Sequence, residues 1–172
     1  GVRLVGSEMC IRDSRQERIG KRGKPFMLFK FRSMKLNADK KGKLTVGMTD
    51  SRITKIGVFI RKYKLDEFPQ FINVLIGDMS VVGPRPEVEE FVAYYTDEQK
   101  RILDVKPGIT DYASIEYFNE NALLAASENP KQDYIKKIMP QKINLNQKYI
   151  KRPTLTHDLK IILRTVQRIL KN

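Results

Sequence analysis

The chain has 172 residues and 41% hydrophobic content, enough for one domain with its own core and unlike a disordered segment. Its 33 Lys and Arg against 20 Asp and Glu give a formal net charge of +13, which favours an anionic partner such as nucleic acid, a phospholipid surface or a phosphorylated substrate. One cysteine, Cys10, and one histidine, His157, exclude an intrachain disulfide framework, a Cys-rich zinc site and a multi-His metal cluster.

Residues 1–13 do not fit the rest of the chain. The run from Val5 to Ser14 resembles a translated sequencing-adaptor remnant, so 1–13 is set aside as a suspected non-native tail and 14–172 is taken as the domain. From Arg15 to Lys24 the chain is basic, with Gly20 and Gly23 as turn signals. The alternation from Phe26 to Met34 predicts a strand. Its two-residue period puts Lys30 and Arg32 on one face, where both can aim at one anion or stand solvated. Asn37 to Asp50 is polar, with Gly42 and Gly47, and is expected to be a mobile loop or weak hairpin.

Ser51 is placed to cap a helix running through Arg61, with Ile53, Ile56, Phe59, Ile60 and Tyr63 on the buried side. The stretch Lys64 to Glu87 is the most informative. Pro69 suits a first helical turn, which sets Asp66 and Glu67 at or just before a helix N-terminus. Phe68, Phe71, Ile72 and Leu75 supply an apolar stripe, and Gly77 ends it. Two acids there also serve simply as charges favoured by the helix dipole. The run Gly83-Pro84-Arg85-Pro86 holds one arginine in a nearly fixed backbone, suited to grip a phosphate through two parallel bonds, though Pro-rich corners with an Arg also occur as plain surface turns.

Glu87 to Asp104 predicts a further helix with a cap at Thr96-Asp97 and a core of Val88, Phe91, Val92, Tyr95, Ile102 and Leu103. Pro107-Gly108 suits a type II bend. Asn121 to Gln147 predicts two helical pieces separated near Pro130 and Pro140. The run from Thr154 to Leu170 is amphipathic, with Leu155, Leu159, Ile162, Val166 and Ile169 at helical spacing; it docks on the domain's own core, lies on an anionic leaflet, or does both along different edges.

Leu65-Asp66-Glu67-Phe68-Pro69-Gln70, followed by the run Asn73 to Pro86, closely resembles the bacterial sugar transferases that are monotopic polyprenyl-phosphate phosphoglycosyl transferases. The resemblance extends upstream through Gln16 to Gly20, Lys24 to Phe26, Lys30 to Met34 and Asp50 to Thr54. Downstream it continues in Val105 to Thr110 and fades after about Asn121. Where family members often carry Gly-Trp-Ala-Gln and a sugar-related Gly-Arg-Asn, this chain has Asp111-Tyr112-Ala113-Ser114 and no such triplet, so the sugar stays unspecified.

The resemblance implies transfer of a phospho-sugar from a UDP-sugar to undecaprenyl phosphate on the cytoplasmic face of the bacterial inner membrane, the opening step of polysaccharide or glycoconjugate synthesis. Asp66 is then the nucleophile, Glu67 a Mg²⁺ ligand, and Lys30, Arg32, Arg61, Arg85 and Pro86 the phosphate and substrate grip, with Lys30 implied more firmly than Arg32. It further implies an N-terminal membrane-entering helix that this chain lacks. The expected architecture is an α+β, helix-dominated single domain with a short β-hairpin and amphipathic interfacial helices. A basic nucleic-acid-binding module, or a membrane-surface scaffold without catalysis, is the competing reading. The sequence has no zinc-finger spacing, aromatic RNP-like strand or recognition helix for the former, so no nucleic-acid partner is expected.

Overall fold

A computed structural model describes residues 15–35 and 51–171; the suspected tail and the loop expected over Asn37 to Asp50 lie outside these. The chain opens with an antiparallel hairpin, β1 (Gln16–Ile19) and β2 (Pro25–Leu28), paired from Gln16 with Leu28 to Ile19 with Pro25. The turn between them places Arg22 and Gly23 at φ 58° and 73°. The predicted strand therefore stops at Leu28, and Lys30 and Arg32 lie on irregular backbone beyond it.

Helix α1 (Lys55–Lys62) is capped by Thr54, whose Oγ1 accepts from Gly57 N–H at 2.9 Å, not by Ser51. Gly57 is required there, because a Cβ would sit 2.0 Å from the Ser33 carbonyl oxygen. A single 3₁₀ turn, Leu65–Glu67, leads into α2 (Gln70–Ile76), which Gly77 closes at φ 91° as expected. Strand β3 (Ser80–Val82) pairs in parallel with β4 (Gly108–Thr110), Ser80 with Gly108 and Val82 with Thr110. The expected type II bend at Pro107-Gly108 is absent, since Gly108 lacks the positive φ it requires. Gly108 instead lets the two segments touch: a Cβ on it would lie 2.1 Å from Gly83 N.

The helix expected from Glu87 to Asp104 is broken into α3 (Glu89–Val92), α4 (Asp97–Lys100) and a 3₁₀ turn, Arg101–Asp104. Thr96 restarts it with a reciprocal capping box through Gln99. Then come α5 (Tyr112–Glu116), α6 (Glu120–Ala125), α7 (Pro130–Asp133) and α8 (Met139–Ile150). Pro130 starts a helix as predicted, but Pro140 separates nothing. A π-helical segment, Tyr134–Ile138, joins α7 to α8 and absorbs the proline near the start of α8. The main core gathers Val88, Phe91, Tyr95, Ile102, Leu124, Tyr134 and Ile143.

The last helix, α9 (Leu155–Leu170), is capped by Thr154 and docks through Ile161, which is fully buried against Val82 and Tyr149. Its outer edge leaves Leu155, Leu159, Leu163, Val166 and Leu170 exposed, so one helix both packs on the domain and presents an apolar edge. None of the helices among the described residues is long and apolar enough to cross a membrane.

The apolar stripe of α2 reverses the ordinary arrangement. Its buried residues are Gln70 and Asn73, whereas Phe68, Phe71, Ile72, Ile76 and Leu75, the last 86% exposed, face outward. On α1, likewise, Ile60 is buried and Ile53 just before it is buried too, but Phe59 and Tyr63, expected inside, are exposed. Helical periodicity reports that a face is apolar; it does not say that the covering surface belongs to the same chain.

Candidate active site

The two carboxylates sit on the 3₁₀ turn and both are buried. Lys64, which enters the turn, is held at φ 55°, a left-handed conformation that costs an L-residue free energy and clusters at functional sites. The turn is fixed from a distance: the Asp66 carbonyl accepts from Phe31 N–H at 3.0 Å. Asn73, facing inward from α2, accepts from Phe29 N–H at 3.0 Å and donates to the Met27 carbonyl at 2.9 Å. One amide thus clips the end of β2 and delivers Lys30 to the carboxylates, its Nζ 4.0 Å from Asp66 Oδ2 and 3.7 Å from Glu67 Oε1. Asn73→Ala should destabilise the fold by about 2 kcal/mol, as two part-buried backbone groups lose their partners; thermal or urea denaturation checks this.

Arg85 closes the cluster. Its guanidinium meets Glu67 as a fork, Nη1 to Oε2 at 2.9 Å and Nη2 to Oε1 at 2.5 Å. Its backbone N–H donates to Asp111 Oδ2 at 3.2 Å. Asp111, fully buried, also caps α5 through Ser114 N–H at 2.6 Å and accepts from Asn146 Nδ2 on α8 at 2.7 Å. The Pro84-Arg85-Pro86 corner is therefore pinned by a buried carboxylate as well as by its prolines.

Electrostatically the cluster is unequal. Burial pushes the Glu67 carboxyl upward, but Arg85 and Lys30 outweigh it and hold it well below the usual carboxylate range. Burial dominates at Lys30, lowering its ammonium from 10.5 to about 8 against the pull of Glu67 and Asp66. Asp66 Oδ1 is buried with no hydrogen-bond partner, an unengaged lone pair in chemical terms and an unusual state for a native carboxylate.

Of the residues singled out in the sequence, the fold brings together Lys30, Asp66, Glu67 and Arg85, with Pro86 buried next to Arg85. Arg61 donates through Nε to Ser33 Oγ at 2.8 Å, which ties α1 to the segment carrying Lys30. Arg32 is half-buried on that same segment. Sequence reasoning did not single out Asn73 or Asp111. Their signal was only a polar residue at a helical inward position and an Asp three residues before a Ser.

A Mg²⁺ ion takes hard oxygen ligands and is ordinarily held by one or two carboxylates together with substrate phosphates. Adjacent carboxylates with one unpartnered buried oxygen, at Asp66, fit that donor set. The Glu67 oxygens accept from the Arg85 fork and keep further lone pairs that suit a metal ion. Among the described residues there is no group of three or more His, Cys, Asp or Glu placed to hold a metal ion unaided.

Beside the cluster lies a polar cleft of about 120 Å³ whose wall includes Lys30, Arg85, Arg18, Gln70, Glu120 and Lys142. The arrangement can bind phosphate oxygens and present a carboxylate oxygen to them.

Comparison with known proteins adds an independent line. Residues 13–172 match the family model described as bacterial sugar transferase, a match that runs past Asn121, where the recognisable motifs fade. The chain is 40% identical over 170 residues to the uncharacterized sugar transferase EpsL of Bacillus subtilis, covering 98% of this chain and 74% of that protein. It is 36% identical over 159 residues to the UDP-glucose:undecaprenyl-phosphate glucose-1-phosphate transferase of Escherichia coli, covering 88% of this chain and 31% of that one. To the UDP-N-acetylgalactosamine-undecaprenyl-phosphate N-acetylgalactosaminephosphotransferase of Aeromonas hydrophila it is 35% identical over 158 residues, 90% of this chain and 34% of the other. The chain thus spans about three quarters of the first and about a third of the other two.

Proposed function

The chain belongs to the bacterial sugar transferase family, and from that premise we propose that it transfers a phospho-sugar from a UDP-sugar to undecaprenyl phosphate. The observation that carries this reading is the buried Asp66 oxygen without a partner, placed beside Lys30 and an Arg85–Glu67 fork. Asp66 Oδ attacks the sugar-bearing phosphorus of the donor, forming an acyl phosphate; the P–O bond to the bridging oxygen breaks, and its electron pair leaves with UMP. An oxygen of the lipid phosphate then attacks the same phosphorus, the Asp66–phosphorus bond breaks, and the free carboxylate returns with the sugar on a lipid diphosphate.

Lys30 and Arg85 hold phosphate oxygens while this happens, beside buried carboxylates where each charge counts for more than in bulk water. A Mg²⁺ ion held by Glu67 and Asp66 would neutralise diphosphate charge. EDTA should therefore suppress UMP release and added Mg²⁺ should restore it; undiminished release in EDTA would remove the metal from the account.

The acceptor explains the outward apolar faces. The carboxylate turn is flanked by Phe59 and Tyr63 on one side and by Phe68, Phe71, Leu75 and Ile76 on the other, all exposed. On α9 the exposed leucines lie beside Lys160, Arg164, Arg168 and Lys171, a pattern suited to an anionic leaflet. Phe118 joins the two regions, with Lys64 Nζ 5.1 Å and Arg168 Cζ 5.5 Å from its ring centroid. In this reading the surface lies against the cytoplasmic leaflet of the inner membrane, with the carboxylates near the headgroups, where a soluble donor and the acceptor phosphate can meet.

Lys30 sets a pH limit. Its ammonium is charged below about 8, so kcat/KM should fall as pH rises through that value, and Lys30→Arg should carry the plateau to higher pH. The loss is not unfolding at this group. Between about 8 and 10.5 the unfolded chain holds the proton that the folded chain has released, so the Lys30 contribution to stability rises with pH. A flat profile to pH 10 with the wild-type lysine would contradict its role.

Incubating the protein with UDP-sugar labelled in the sugar and with undecaprenyl phosphate tests the reading. Label should enter the organic phase only when both are present. Retention on DNA with no lipid-linked label would favour a basic binding module instead.

A further inference from the structure

The cleft beside the carboxylates holds more donors than this reaction scheme has used. Four cationic side chains on its wall, Arg18, Lys30, Arg85 and Lys142, face two acids, Glu87 and Glu120. Both acids are engaged. Glu87 accepts from Val88 N–H through Oε1 and from the Tyr134 hydroxyl through Oε2, and Glu120 Oε2 accepts from Lys142 Nζ at 2.7 Å.

Gln70 is the anomaly. It is 1% exposed on the inner face of α2, and its Nε2 is buried with no hydrogen-bond partner. A buried amide left in that state is destabilising, so native folds rarely keep one without a partner. Its neighbour on the same face, Asn73, spends both of its polar atoms on the backbone of β2 and Phe29, so the inward surface of α2 is well able to satisfy amides. Gln70 lines the cleft, and its Nε2 is a donor without an acceptor. Arg18, on β1, uses two guanidinium nitrogens on the Glu17 carbonyl and Gln16 Oε1, which leaves N–H donors of its five unassigned.

We propose that Arg18 and Gln70 Nε2 form, with the shared cations Lys30 and Arg85, a subsite for the phosphate of the departing nucleoside monophosphate. The proposal rests on the transfer reaction above. Lys30 and Arg85 belong to both the carboxylate cluster and the cleft wall. A diphosphate lying along them puts its sugar-bearing phosphorus at Asp66 and its nucleotide-bearing phosphate in the cleft. The charge argues for that orientation, since a neutral sugar calls for no cations whereas the leaving phosphate gains negative charge as the bridging bond breaks. Donors held along the cleft wall would stabilise that developing charge.

The test is equilibrium binding of UMP to the whole chain, with uridine and glucose 1-phosphate as comparison ligands and a thermal melt of each variant. Gln70→Met removes the donor and keeps the size; Arg18→Met removes the guanidinium from a hairpin residue. Each should weaken UMP binding about tenfold or more and leave glucose 1-phosphate and uridine little changed. Asp66→Asn should keep UMP affinity while losing turnover, so a failure of the covalent reading is seen separately from a failure of the subsite. If Gln70→Met melts early, Arg18→Met decides. Unchanged UMP affinity in properly folded variants, or weakening confined to glucose 1-phosphate, would overturn the proposal.

Discussion

Asp66→Asn should abolish UMP release from a UDP-sugar while leaving the fold intact. The amide keeps the shape of the carboxylate, and the turn is held by backbone contacts, notably Phe31 N–H to the Asp66 carbonyl. What is lost is the anionic oxygen. Removing one electrostatic donor from an active site typically costs about 10²- to 10³-fold, whereas removing a covalent nucleophile leaves no first step, so the loss should exceed that range. Circular dichroism and a thermal melt would show the fold retained. Turnover within tenfold of wild type would mean that some other group, or water, attacks the phosphorus.

Arg85→Lys should lower kcat/KM by about 10²- to 10³-fold. Lysine preserves the charge, and a view of the site as a diffuse positive field would expect little change. The fork explains the difference. Arg85 addresses both oxygens of Glu67 at once, on a backbone fixed by two prolines and by Asp111, and a flexible ammonium reproduces neither the plane nor the pair of bonds. Glu67, left with a poorer partner, is also a buried carboxylate short of charge balance. A variant with near-normal kinetics would show that the guanidinium does not grip the substrate phosphate.

The acid pair and the rigid arginine of this cluster stand out in the sequence because they are written locally. Asp66 and Glu67 adjoin Pro69, and Arg85 lies between two prolines, so spacing alone brings out an acid pair and a rigid arginine. Gly77 and Thr96 likewise act within a turn of themselves, and their roles as stop and cap were readable. Asn73, Asp111 and Gln70 were not. The partners of Asn73 and Asp111 lie up to 46 residues away, and in an amphipathic pattern a polar residue such as Gln70 counts as outward-facing. The reversal on α2 has the same origin: with amides holding the inner face, the apolar stripe is left exposed among the described residues. Helix limits failed at the π-helical segment that carries the chain past Pro140.

The central claim is a covalent intermediate on Asp66. Mixing the protein with UDP-sugar and Mg²⁺ in the absence of any lipid acceptor, then quenching and weighing the chain by mass spectrometry, tests it most directly. The account predicts a burst of UMP approaching one per chain and a mass gain of one sugar phosphate, located on the peptide containing Asp66 and removed when undecaprenyl phosphate is added. No UMP and no mass gain until the lipid is supplied would contradict it, and would mean that the two substrates react directly with each other.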